Sequence, residues 1–166
     1  MDIRAINEIH IWEWLDQIPD PEIPVISIVD LGVVRKVELD AGYITIFITP
    51  TYTGCPAMHI FEADIKSMLT DKGFENPVIQ TVWSPPWTTD WLSDKALEKL
   101  RVYGIAPPVK GSADKGMLFS AGPKTVACPK CGSGDTKVIS QFGSTACKAL
   151  YSCNSCKEPF EYFKCI

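Results

Sequence analysis

Two Cys-x-x-Cys turns, Cys128-Pro129-Lys130-Cys131 and Cys153-Asn154-Ser155-Cys156, lie twenty-one residues apart and restrict the last forty residues more tightly than any other feature restricts the chain. Each turn sets two sulfurs on one ion, and two such turns joined by a hairpin make a closed four-thiolate site. A segment of about forty residues buries too little apolar surface to fold alone, so a bound metal would act as its staple. The pattern predicts a zinc ribbon over 127–166, with strands at 136–142, 147–152 and 160–164 and with Cys128, Cys131, Cys153 and Cys156 as ligands. Four sulfurs also hold a single iron, but closed four-cysteine sites of this spacing typically take zinc. Cys147 and Cys165 are spare. If the last two strands pair around the second turn, Tyr151 opposes Phe160 and Cys147 falls opposite about Lys164, close to Cys165. Three readings stay open for these thiols: a pair, ligands of a second metal, or core residues. Core is the default, because free cysteine is among the most buried residue types.

The length of 166 residues, 46% of them hydrophobic, suits one domain with a real core plus a small second one, folding without disulfides. No apolar run is long enough to span a bilayer, and Met1-Asp2-Ile3-Arg4 opens an amphipathic pattern rather than a signal-peptide core, so a cytoplasmic protein is expected. Charge is uneven. Residues 1–105 hold eight Lys/Arg against sixteen Asp/Glu; 106–126 hold three against one, and 127–166 five against three. A nucleic-acid binder needs a basic face to release counterions from phosphates, and none of any size is apparent. Neither nucleic acid nor membrane is expected as a partner.

Residues 1–105 read as one domain. Ile3, Ile6, Ile9, Trp12, Leu15 and Ile18, three apart, predict an amphipathic helix over 3–17. His10 on it has no partner at ligand spacing and reads as a surface or partly buried residue. In Asp20-Pro21-Glu22-Ile23-Pro24 the prolines impose an extended path, and Asp30-Leu31-Gly32 reads as a turn. Asp20, Glu22 and Asp30 are candidate ligands for a hard metal; the ordinary alternative is that acidic turn residues bond nearby backbone N–H groups. A hairpin over 33–39 and 43–49 follows, then a helix over 56–72 stopped by Gly73, a strand over 78–83 and a closing helix over 93–103 ended at Gly104. Trp83, Trp87 and Trp91 fall four apart, but Pro85 and Pro86 break any helix there; these indoles cover the sheet edge or form a docking surface. The stretch 106–126, rich in Pro, Gly, Ser and Lys, predicts a linker.

Within the first domain the chemistry concentrates at Thr49-Pro50-Thr51-Tyr52-Thr53-Gly54-Cys55-Pro56-Ala57-Met58, where a strand stops and a helix starts. Pro50 ends the strand, Gly54 permits a tight turn and Pro56 suits the first position of a helix, which makes Cys55 the expected N-cap. A thiol there faces unpaired backbone N–H groups and the positive end of the helix dipole, which favour the thiolate and suit a nucleophile or a metal ligand. The bland alternative is a buried cysteine filling a helix start. His59 lies one turn further along the same helix and reads as exposed rather than paired. No base, nucleophile and orienting group form a catalytic set, so an enzyme is not expected.

Asp20-Pro21-Glu22-Ile23-Pro24, Asp30-Leu31-Gly32 and Thr53-Gly54-Cys55-Pro56 resemble the metal-sulfur cluster assembly domain family, which includes the bacterial SufT proteins; the resemblance covers residues 5–105. With Trp83-Ser84-Pro85-Pro86-Trp87, the ribbon stretch Gly143-Ser144-Thr145-Ala146-Cys147-Lys148-Ala149-Leu150 and Glu158-Pro159-Phe160, the whole chain resembles an accessory family of the phenylacetyl-CoA epoxidase systems. The resemblance implies an α+β fold, a small mixed sheet packed with helices, plus the ribbon. It puts Cys55 in the place of the family's reactive cysteine, a transient ligand of iron or an iron-sulfur cluster with Asp20 or Glu22 assisting. It also implies a maturation factor for that epoxidase in aerobic phenylacetate breakdown, with the oxygenase, its reductase or iron-sulfur assembly proteins as partners. The alternative is a non-catalytic structural or regulatory subunit in which Cys55 only packs.

Overall fold

The computed structural model describes residues 6–40, 42–109 and 125–164, which form two compact units, Met1–Trp87 and Thr88–Ile166. The first opens with α1, Glu8–Leu15. Asn7 fixes its start through a reciprocal cap: the Asn7 side chain accepts the His10 N–H at 3.2 Å, and His10 Nδ1 accepts the Asn7 N–H at 3.3 Å. His10 is therefore a capping residue. The helix is shorter than the expected 3–17. Its buried stripe is Ile11 and Leu15, continued by Ile18, while Ile9 is 66% exposed. At about 100° per residue a three-apart series drifts round the helix, and Ile9 sits roughly opposite Ile11.

Strands β1 (Val34–Asp40) and β2 (Tyr43–Ile48) make the expected hairpin, closing at Asp40 opposite Tyr43 with Gly42 at φ 88°. Val37, Ile44, Ile46 and Ile48 point into the core, and Arg35, Lys36 and Glu38 point out. Helix α2 (Ala57–Asp71) buries Phe61, Ile65 and Leu69 at four-residue spacing and stops before Gly73, at φ 100°. It returns the chain to β3 (Val78–Thr81), which pairs parallel to β2, so β1-β2-β3 is a mixed sheet. Burial separates the three tryptophans: Trp83 is 62% exposed, Trp91 is half-buried, and Trp87 is buried with Nε1 donating to the Leu31 carbonyl at 2.9 Å. Trp87→Phe keeps an aromatic ring but withdraws the donor from a buried carbonyl. It should cost about 1–3 kcal/mol by denaturant midpoint, whereas Trp83→Phe should leave the midpoint in place.

The second unit contains a short 3₁₀ turn (Thr89–Trp91), helix α3 (Asp94–Tyr103) and strand β4 (Ile105–Ala106), of which the sequence reading places all but Ala106, the first residue of the expected linker, in the first domain. Ser93 caps α3, its Oγ accepting the Ala96 N–H at 2.9 Å, and Gly104 ends it at φ 96°. Strand β4 pairs parallel to β7 (Pro159–Phe163), giving the order β4-β7-β6-β5 with β5 Thr136–Ser140 and β6 Lys148–Cys153. Tyr151 opposes Phe160, the expected register, and its ring stacks on Phe160 at 5.8 Å and meets Tyr162 edge-on at 5.6 Å. Ala106 and Val126, the ends of the expected linker, are both buried in this core with Cys128, Ala149 and Cys153. Ala106 lies in β4, and the Val126 carbonyl accepts the hydroxyl of Thr136 in β5 at 2.7 Å. The rest of that stretch, 110–124, lies outside the described residues.

Candidate metal centre and cysteine site

The two Cys-x-x-Cys turns fold as near copies. Cys128 N–H donates to Ser133 O at 2.9 Å and Gly132 N–H to Cys128 O at 2.8 Å; in the second turn Cys153 N–H donates to Glu158 O at 2.9 Å and Lys157 N–H to Cys153 O at 3.0 Å. The residue after each pair takes positive φ, 75° at Gly132 and 66° at Lys157, a position open to glycine and strained for lysine. The sulfurs of Cys128, Cys131, Cys153 and Cys156 all lie within 4.8 Å of one another, with Cys128 to Cys156 at 3.7 Å and Cys131 to Cys153 at 3.6 Å. Zinc–sulfur bonds of about 2.3 Å in a tetrahedron require sulfurs about 3.8 Å apart, so the four residues fit a structural zinc.

Their protonation also suits a cation. The Cys156 N–H, 3.5 Å from Cys153 Sγ, holds the Cys153 thiol down to about 6. At Cys156 a backbone hydrogen bond from Glu158 favours the thiolate, yet burial and the thiols of Cys131, Cys153 and Cys128 outweigh it and push the group up to about 12. Without a divalent ion the cluster keeps protons; binding one releases them. Around the centre, Asn154 is tied to Asp135 by its side chain at 2.7 Å and its N–H at 2.8 Å, and Ser133 Oγ meets Ser155 Oγ at 2.8 Å. Lys130 and Glu158 pair on the surface, where such a bridge adds little.

Cys147 is buried, with Thr145 Oγ1 3.0 Å from its sulfur and its carbonyl accepting the Lys164 N–H at 2.9 Å. Cys165 lies outside the described residues. Next to Cys147, Lys148 is only 4% exposed and its Nζ sits 3.0 Å from Glu161 Oε2. Burial raises the Glu161 carboxyl, but the Ser144 N–H at 2.8 Å and the Lys148 ammonium together hold it below the usual carboxylate range. This pair, which fastens the 143–147 loop onto the sheet, escapes a sequence reading; its only signal is a lysine at the start of a mostly apolar strand.

In the first unit, β2 and β3 are parallel and β1 runs antiparallel to β2, with Val34 opposite Ile48 and Ile48 opposite Thr81. The Cys55 loop, the Val82–Trp87 segment and the Asp30-Leu31-Gly32 turn therefore gather at one end of the sheet. Cys55 is half-buried; its N–H donates to Tyr52 O at 3.2 Å after Gly54 at φ 82°. It is not the N-cap. Pro56 holds that position in helical conformation, φ −68° and ψ −23°, and no side chain caps the helix. Proline's fixed φ extends the helical geometry back by a residue, leaving Cys55 just outside it, with the Met58 N–H bonding its carbonyl at 3.4 Å. His59 is exposed.

Asp20 is buried, and its Oδ1 accepts the N–H groups of Glu22 at 2.8 Å and Ile23 at 2.7 Å, while its own N–H bonds Ile26 O at 2.9 Å. Asp30, also buried, donates its N–H to Ser27 Oγ at 2.9 Å while its Oδ2 accepts the Ser27 N–H at 3.5 Å, and the Ser27 hydroxyl in turn donates to Asp16. Both carboxylates brace loops. Among the described residues the four ribbon cysteines are the sole group of three or more ligand-type side chains; Cys55, Asp20 and Glu22 do not form such a group.

The matches to known proteins follow the same division. Residues 8–73 match the family model of the iron-sulfur cluster assembly protein, and residues 113–164 match the PaaD zinc beta ribbon domain. The crystal structure of a domain of unknown function, DUF59, from Bacillus anthracis superposes with a TM-score of 0.53 at 30% identity, covering 56% of this chain and 90% of that one. The Fe-S protein maturation auxiliary factor YitW of Bacillus subtilis (strain 168) is 40% identical over 92 residues, 54% of this chain and 88% of that protein. Fold and matches define the class: an iron-sulfur cluster assembly domain joined to a zinc β-ribbon. A protein of Escherichia coli (strain K12) named as a subunit of 1,2-phenylacetyl-CoA epoxidase is 50% identical over 164 residues, 98% of this chain and 96% of that one. The chain belongs to the PaaD family of phenylacetyl-CoA epoxidase subunits. No helix among the described residues is long and apolar enough to cross a membrane.

Proposed function

We propose that this protein is a non-catalytic maturation factor of the phenylacetyl-CoA epoxidase system in aerobic phenylacetate degradation, assisting the assembly or delivery of iron or iron-sulfur centres to the oxygenase or its reductase. The observation that carries this reading is the assembly-domain match over residues 8–73, which contains Cys55, within a chain similar from end to end to a protein named as an epoxidase subunit. Cys55 is the cargo ligand. It is half-buried beyond the end of β2 and, among the described residues, belongs to no group of three ligands, so one thiolate holds iron or a cluster weakly enough to pass it on. Asp20 and Glu22 assist, Asp20 by shaping the loop through its two backbone hydrogen bonds. Cys128, Cys131, Cys153 and Cys156 hold zinc, which folds the ribbon for docking to oxygenase, reductase or an assembly partner.

A second reading, a structural or regulatory subunit of the epoxidase, is favoured by that relative's being named a subunit. Iron and sulfide content of the oxygenase and reductase, each isolated from cells with and without this protein, separates the two. The maturation reading expects low occupancy at normal protein levels when it is absent; full occupancy of both would overturn it and leave the subunit reading standing.

A further inference from the structure

At the end of β6 opposite Cys153, the chain that joins β5 to β6 is closed on itself and fastened twice from the neighbouring strand. Gly143 N–H donates to Lys148 O at 2.7 Å and Lys148 N–H to Thr145 O at 3.2 Å. From β7, Glu161 Oε1 accepts the Ser144 N–H at 2.8 Å while Oε2 lies 3.0 Å from Lys148 Nζ. Just past β7, Lys164 Nζ donates to Gln141 O at 2.9 Å and lies 4.6 Å from the centre of the Phe142 ring, and its N–H donates to Cys147 O at 2.9 Å. Gly143 lets the carboxylate in: a Cβ there would stand 2.8 Å from Glu161 Oε1 and 3.2 Å from Lys148 Cβ. The last residue of the loop, Cys147, is 8% exposed, with Thr145 Oγ1 against its sulfur. The two fastenings differ in what their loss does. Lys164 is half-buried and its ammonium can turn to water. Lys148 is enclosed, and a buried ammonium stays in place only while a carboxylate faces it; with that partner gone its desolvation is uncompensated. It then moves into water, and the loop hydrogen-bonded to its backbone moves with it.

We propose that residues 141–147 form a strap over the Cys147 thiol, latched by the Glu161–Lys148 pair, which opens as one piece when that pair is broken while the Cys-x-x-Cys end of the sheet stays folded. Opening withdraws Thr145 from the sulfur and brings the thiol to solvent. It emerges beside two ammonium groups, Lys148 next to it in sequence and Lys164. Burial lowers the pKa of Lys164 and the charge of the Cys147 thiolate pulls it the other way, an attraction that favours the thiolate in equal measure. The strap therefore covers a thiol whose surroundings suit reaction once they are wet. The latch is separate from the metal turns: Lys148 and Glu161 lie on the opposite face of the sheet from Tyr151, Phe160 and the rest of the ribbon core, so the strap can leave without unpacking that core.

Alkylation of the zinc-loaded full chain, followed at each cysteine by peptide mass, tests this, with hydrogen exchange at the Gly143 and Ser144 amides read in parallel. In the wild type Cys147 should react slowly and both amides should be protected. Glu161→Gln keeps the shape of the side chain but leaves Lys148 without its carboxylate; it should speed Cys147 alkylation by about tenfold or more and release both amides. Gly143→Ala, which keeps every charge, should also open the strap, by pressing a methyl group onto the carboxylate. Glu161→Gln combined with Lys148→Met withdraws the buried charge and keeps an acceptor for the Ser144 N–H, so alkylation should return close to the wild-type rate. An unchanged rate in Glu161→Gln or Gly143→Ala, a double variant as reactive as Glu161→Gln alone, or a wild-type Cys147 as reactive as Cys55 would each overturn the proposal. So would faster alkylation that comes with lost zinc and lost protection along β6, which would make the pair a support of the whole ribbon rather than the latch of a strap.

Discussion

Purified full-length protein is expected to contain about one zinc per chain, and stripping it is expected to unfold the ribbon while the first unit stays folded. The magnitude follows from the size of the ribbon. Among the described residues its core cluster is eight buried residues, two of them candidate ligand cysteines. Structural zinc in small domains supplies about 10–16 kcal/mol of apparent binding free energy at neutral pH, more than such a core retains once conformational entropy is set against burial. Cys153→Ser should be the most damaging of the single ligand changes. Cys153 is fully buried, sits at the end of β6, and its N–H and carbonyl both hold the second turn in place. Elemental analysis and amide exchange in β5, β6 and β7, with and without chelator, decide this. Metal-free protein whose β6 amides stay protected would remove zinc from the folding of this unit. Acid should act in the same direction as chelator, since each ligand must lose its proton to bind.

How far the fold was legible depended on whether its determinants were local. Ser93, Gly73, Gly104 and Gly42 are decided within a few residues, and the helices and hairpin they bound appear where periodicity and capping chemistry place them. The ribbon was legible because metal-ligand spacing is itself a local signal, and the Tyr151–Phe160 register follows from pairing the last two strands around the second turn. What local pattern did not show was tertiary. Ile9 looked like core because a three-apart series mimics a stripe, yet Ile6, Ile11, Leu15 and Ile18 find cover while Ile9 stays exposed. Nothing in Gly104-Ile105-Ala106 announces a parallel pairing to residues more than fifty positions away, so a short strand read as the end of one domain and the start of a linker. At the candidate site, Cys55 and its half-buried loop were visible as a proline- and glycine-bounded turn. Its position relative to the cap depended on Pro56 adopting helical φ and ψ, which moves the boundary by a single residue. The bracing of Asp20 and Asp30 was foreseeable as chemistry but not as geometry, because the bonds form only once the loop closes at Pro19 and Ser27.

Cys55→Ser should separate folding from function more sharply than any other substitution in this chain. Serine nearly keeps the volume of cysteine, the residue is only half-buried, and its N–H and carbonyl, which hold the loop to Tyr52 and Met58, are untouched. The stability change should stay below about 1 kcal/mol. The ligand chemistry, by contrast, is lost: a hydroxyl does not ionise near neutral pH and is a hard, weak ligand for iron where a thiolate is soft and strong. Cells carrying Cys55→Ser should therefore make the oxygenase and reductase at normal levels but with several-fold lower iron or cluster occupancy, and should grow poorly on phenylacetate. Cys147→Ser is the matched control, since Cys147 is buried in the other unit against Thr145. Its exposure difference from Cys55 gives an independent readout: in zinc-loaded protein an alkylating reagent should modify Cys55 well before Cys147. Full metal occupancy and growth in the Cys55→Ser strain, with the variant protein present and folded, would show that Cys55 only packs, and would transfer whatever part this protein has in maturation to its ribbon and the surfaces around it.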